Sequence, residues 1–140
     1  MIYIHYLLPV NSSADNLWTV LRDKVDNPVK YVSGVSTFRF EAWPDGRVLR
    51  VMQRNGITVQ EIIAVDPSAR STTFELKDHP QYRGYIKSEV VTREDGTFLG
   101  YTLSWEAHSG EEDFDGTHAW FKDAVHATQQ LAEAMEPVRA

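Results

Sequence analysis

From Val35 onward, for about seventy residues, apolar and polar positions alternate with a period of two, the signature of strands with one face buried. Turn residues break the alternation at regular intervals. Pro44-Asp45-Gly46 predicts a three-residue hairpin loop, with its glycine left-handed, between strands 35–43 and 47–54. Asn55-Gly56 is the pair a tight type I′ turn demands, so strand 57–65 should fold straight back on 47–54. Asp66-Pro67-Ser68, Asp78-His79-Pro80 and Glu94-Asp95-Gly96 then separate strands 71–77, 83–93 and 97–108.

Before this block, Ile2–Val10 reads as a strand that Pro9 brings to an end. Behind the N-cap oxygens of Asn11-Ser12-Ser13, Leu17, Val20, Leu21 and Val25 recur at helical spacing, and this helix stops before Asn27-Pro28. Pro28 opens a second short helix through Val32, which Gly34 stops. After the strands, 112–136 predicts a long helix with Phe121, Val125, Leu131 and Met135 on its apolar stripe and small residues Ala124, Thr128 and Ala132 beside them. Ser109-x-x-Glu112 reads as its capping box and Pro137 lies past its end, while Gly116 argues for a start nearer Thr117. The sum is one α+β domain over 1–140, with a seven-stranded curved antiparallel sheet around a long C-terminal helix. A strongly bent sheet over a single helix leaves space that side chains fill or a ligand occupies.

The Asn55-Gly56 turn fixes register: Arg54 faces Ile57, Met52 faces Val59 and Arg50 faces Glu61. The face carrying Val48, Arg50, Met52, Ile57, Val59, Glu61, Ile63 and Val65 is the more continuously apolar, and the Pro-Asp-Gly loop adds Phe38 and Phe40 to it. If that face points inward, Arg50 and Glu61 are a charged pair inside an apolar bowl, where an ion pair is poor support for stability and function is the better explanation. The guanidinium would then hold a ligand carbonyl, enolate or carboxylate, and Glu61 would orient it or take a proton from an activated carbon. If the face points outward, the pair is a cross-strand salt bridge worth less than about 1 kcal/mol. Tyr101 and Trp105 share a face with Leu99 and Leu103 and either line a pocket or build core. With Phe121 and Val125 from the helix they complete the expected lining, alongside Phe38, Phe40, Met52 and Val59.

Composition removes other classes. A net charge of −6 without a basic run argues against nucleic-acid binding. The absence of cysteine excludes thiolate nucleophiles and Cys-ligated metals. Five histidines lack metal-ligand spacing: no His-Glu-x-x-His occurs, and Asp115-x-x-His118 is an ordinary helix-surface pair. No phosphate loop, dinucleotide fingerprint or Gly-x-Ser-x-Gly is present, so no metal and no cofactor is expected. No apolar run approaches a membrane span, and a cytoplasmic protein of unassigned oligomeric state is the expectation.

The order strand, two short helices, six antiparallel strands, long helix resembles the START, or plant-allergen-like helix-grip (SRPBCC), superfamily over the whole chain. The stretch Asp26-Asn27-Pro28-Val29-Lys30-Tyr31-Val32-Ser33-Gly34-Val35, with Leu49-Arg50-Val51 and Gln60-Glu61-Ile62, resembles its AtaL-like branch. The resemblance implies a small, largely apolar partner, polyketide-like, aromatic or lipid-like, held between sheet and C-terminal helix. It implies either cyclase-type carbonyl chemistry on that molecule or non-catalytic carriage. The residues do not separate these two, because both need the same anchor.

Overall fold

A computed structural model describes residues 1–135. In chain order its elements are β1 (Ile2–Val10), α1 (Ala14–Asp26), α2 (Pro28–Tyr31), β2 (Val35–Ala42), β3 (Val48–Arg54), β4 (Ile57–Asp66), β5 (Ser71–Lys77), β6 (Tyr82–Arg93), β7 (Gly96–Ala107) and α3 (Phe114–Ala134). The seven strands form one antiparallel sheet in the order β1-β7-β6-β5-β4-β3-β2. Strand ends fall within one residue of those the alternation predicts. No described helix is long and apolar enough to cross a membrane.

Local chemistry accounts for the joints. Ser13 caps α1 by accepting the Asn16 N–H at 3.0 Å, and Pro28 occupies the start of α2, where its missing N–H costs nothing. Asn55 and Gly56 both have positive φ, 51° and 77°, as the type I′ turn requires, and the register is Arg54 to Ile57, Met52 to Val59 and Arg50 to Glu61. The β6–β7 hairpin is tighter than its Glu-Asp-Gly sequence suggests: Gly96 already pairs with Arg93, so Glu94 and Asp95 alone make the turn.

The start of α3 also differs from the sequence expectation. Ser109 and Glu112 do not form a capping box. The Ser109 hydroxyl accepts the Glu111 N–H at 3.2 Å, and Glu112 pairs with the N-terminal ammonium of Met1. Asp113 is the N-cap, its side chain accepting the Gly116 N–H at 3.0 Å, and the helix begins at Phe114. Gly116 makes this cap possible, because a Cβ there would sit 2.2 Å from Asp113 Oδ2. The expected end at Glu136 and the Pro137 stop lie outside the described residues.

Paired residues of an antiparallel sheet share a face, so the registers can be followed across the strands. One row is Ala42, Val48, Ile63, Phe74, Ile86, Leu103 and Ile4; the next is Val65, Thr72, Ser88, Tyr101 and Tyr6. On the other side of the first row run Phe40, Arg50, Glu61 and Leu76, and beyond them Phe38, Met52 and Val59. The two longer helices lie on this face, α3 over β1 and β7 and α1 over β5 and β6. Phe121 of α3 stacks on Tyr6 and meets Tyr101 edge-on, with ring centroids 5.9 and 5.0 Å apart. The main core joins Ile2, Ile4, Leu99, Tyr101 and Leu103 to Leu17, Val20 and Leu21 of α1 and to Phe121, Val125 and Ala132 of α3. Burial of a side chain such as Leu103 or Phe121 contributes about 1.5–3 kcal/mol. Val25, at the end of α1, forms a second cluster with Ile63 and Phe74.

Candidate ligand site on the concave face

The residues expected to line a pocket separate into two groups. Tyr101, Phe121 and Val125 are buried in the main core, and Trp105 packs against it. Met52 is buried on β3, Val59 is half-buried on β4, and Phe38 and Phe40 are exposed on β2 at 38% and 41%. The two phenyl rings contact each other edge-on, with centroids 5.8 Å apart. Ile57, on the same face of β4, is also exposed.

Arg50 stands on the same face, next to Met52, and is only 2% exposed. Its Nη2 donates to Glu61 Oε1 at 2.8 Å. Its Nη1 donates to the carbonyls of Lys24 (2.7 Å) and Val25 (3.0 Å), and the guanidinium carbon lies 5.1 Å from the centre of the Phe74 ring. Arg50 therefore closes the C-terminus of α1, satisfying two carbonyls that no further helical turn can reach and placing positive charge at the negative end of the helix dipole. Its Nε–H is buried without a hydrogen-bond partner. Glu61 uses one oxygen in the pair and has no bond to the other among the described residues.

A second polar junction was not singled out in the sequence. From α1, Lys24 extends its ammonium to the Tyr101 hydroxyl of β7 and to Thr128 Oγ1 of α3, the latter at 3.1 Å, and lies 4.5 Å from the Tyr101 ring centroid. The small residue Thr128 does leave room beside the helix, and Lys24 fills it. Directly across from Tyr101 on β1, Tyr6 bonds His118 Nε2 at 2.7 Å, which engages the histidine of the Asp115-x-x-His118 pair with a tyrosine.

At the far end of β5, His79 Nδ1 accepts the N–H groups of Gln81 and Tyr82, each at 3.1 Å. Burial, and then the neighbouring charge of His108, hold its pKa below the ordinary histidine value, against a smaller upward pull from Glu61. Nearby, Tyr82, Trp105 and Trp120 stack in series, with centroids 5.2 and 5.6 Å apart, and the Trp105 indole N–H is buried without a partner.

Two surface clefts lie elsewhere. One of about 580 Å³ runs between α1, α2 and the end of α3, and one of about 850 Å³ lies beside β1 and the β6–β7 turn. Neither is walled by any residue of the expected lining.

Solved structures share this arrangement of strands and helices. XoxI from Bacillus cereus superposes with a TM-score of 0.67 at 17% identity, over 93% of this chain and 94% of its own. Ginseng major latex-like protein 151 from Panax ginseng gives 0.64 at 14% identity, over 95% and 97%. The di-domain ARO/CYC StfQ from the steffimycin biosynthetic pathway gives 0.71 at 14% identity, over 95% of this chain and 50% of StfQ. The chain has the helix-grip fold. Within that fold, α3 is the gripped helix and the β2–β4 half of the sheet is the part it leaves open. At these identities the likeness is one of fold; no protein-family model and no curated protein matches the chain.

Proposed function

We propose that this helix-grip protein binds a small, largely apolar molecule, polyketide-like, aromatic or lipid-like, on the open half of its concave face. The observation that carries the reading is the exposed Phe38–Phe40 surface beside a buried guanidinium whose Nε–H has no partner. The apolar rings supply contact area, and the free donor supplies orientation for a ligand oxygen. The AtaL-like resemblance of residues 26–35 belongs to this reading and rests on sequence. A fluorescence titration with neutral N-phenyl-1-naphthylamine tests it: the full chain should bind with a Kd on the order of micromolar. The Phe38→Ser/Phe40→Ser double variant should lose at least about tenfold in affinity. Equal binding by the double variant places the probe elsewhere and defeats the proposal.

A catalytic version is supported by the unbonded oxygen of Glu61 beside Arg50, and by the ARO/CYC activity named for StfQ. In cyclase-type carbonyl chemistry the Arg50 Nε–H would polarise a carbonyl oxygen, and Glu61 would accept the proton released from the adjacent carbon. Glu61→Gln separates the versions. A catalyst loses protein-dependent deuterium incorporation next to the carbonyl of an aryl ketone while retaining the ketone, whereas a carrier shows no such incorporation in either form.

A further inference from the structure

We infer that Lys24 and Tyr101 form a carboxylate-binding subsite, so that the molecule held on the concave face carries a carboxylate on an apolar body. The inference rests on the reading of that face as a ligand surface and specifies the class of ligand. It comes from an accounting of donors and acceptors. An ammonium has three N–H donors and no acceptor. Lys24 uses one on the Tyr101 oxygen and one on Thr128 Oγ1, and Thr128 passes its own proton to the Ala124 carbonyl at 3.0 Å. The third Lys24 N–H and the Tyr101 O–H are left with no acceptor among the described residues, and Tyr101 is only 5% exposed.

No carboxylate lies within ion-pair distance of Lys24 among the described residues; Lys30, Lys77 and Lys87 each have one, and Lys122, which has none either, is exposed to water. A half-buried ammonium held between three elements has given up much of its hydration, and a counter-charge is what compensates that loss. Neutralising the α1 dipole does not require this placement, because a lysine on the exposed side of the last turn would serve equally. The same junction holds the free Nε–H of Arg50, whose Nη1 binds the Lys24 carbonyl. Surplus donors and no carboxylate paired with Lys24 fit an oxygen acceptor with a single charge. A carboxylate meets that description, and it presents two oxygens to the two free donors.

The test uses the full chain and two probes with the same alkyl body, decanoate and decanol, titrated calorimetrically near neutral pH. Wild type should prefer decanoate by at least about tenfold. In Lys24→Met the preference should fall to within about twofold. Tyr101→Phe, which keeps the ring under the ammonium and removes only the hydroxyl, should reduce the preference several-fold. A preference that survives in both variants overturns the subsite, and so does a wild type that binds the two probes equally; in either case the apolar surface stands. Failure of wild type to bind either probe removes the surface and the subsite together.

Discussion

On β1 and β7 the concave residues Tyr6, Tyr101 and Leu103 lie under α3 and pack on Phe121, while on β2 the concave residues Phe38 and Phe40 face solvent. Both regions obey the same alternation, so the difference comes from the helices. An α-helix with its side chains is about 10–12 Å across and strands lie about 4.8 Å apart, so one helix covers roughly two strands. In this chain α3 covers β1 and β7, and α1 crosses β5 and β6. Over β2–β4 only the end of α1 and the four-residue α2, which meets β2, remain, and neither buries Phe38 or Phe40. The closed half therefore serves mainly stability, with the Lys24–Tyr101 junction as its one proposed ligand contact, and the open half is available to a ligand, with Arg50 at the boundary between them.

The boundary gives the largest expected effect. Arg50→Met strands a partly buried carboxylate and should cost about 3–5 kcal/mol, read as a shift in the urea midpoint. Adding Glu61→Leu should recover only part of this, because the Lys24 and Val25 carbonyls still lack the donor that Arg50 supplied. Full recovery in the double variant would show that the α1 cap is energetically idle.

The two halves should respond differently to truncation. Phe121→Ala empties a fully buried site and should cost about 3–5 kcal/mol. Phe40→Ala, on the open half, should cost less than about 1 kcal/mol. Similar losses at both positions would mean that the open half is core.

The smallest effect concerns pH. His79 has a folded pKa below its ordinary value near 6.5, so the unfolded chain binds the proton more readily. Stability should be complete above that value and decline as pH falls below it, until the folded pKa is passed. His79→Asn retains an acceptor for the Gln81 and Tyr82 N–H groups and cannot titrate, so its urea midpoint should fall less than that of wild type between pH 7 and 5.5. Parallel curves would assign the decline to other groups.

How far the molecule could be read from sequence follows the range of each interaction. Asn55-Gly56 fixes its turn within two residues, and the Arg50–Glu61 pairing follows from it by counting along the strands. The other two partners of Arg50, the Lys24 and Val25 carbonyls, could not be counted, since the end of α1 is more than twenty residues away and reaches Arg50 only through the fold. The separation of the expected lining was hidden for the same reason: Phe40 and Tyr101 occupy equivalent positions in the alternation, and only the placement of α3 distinguishes them. The Ser109-x-x-Glu112 pattern misled because Asp113 is equally able to cap and is better placed once Gly116 follows it. Lys24 did leave a signal. It lies seven residues after Leu17 and four after Val20, on the apolar stripe of α1, where a lysine must find a partner inside or bend away.

The central claim, that the open half of the concave face is the ligand surface, is tested most directly by amide chemical-shift mapping with saturating N-phenyl-1-naphthylamine. The largest changes are expected on β2, β3 and β4, around Phe38, Phe40, Met52 and Val59, with the amides of Ile4, Leu103 and Val125 little affected. Changes centred on β1, β7 and α3, or on the cleft between α1 and α2, would contradict the account.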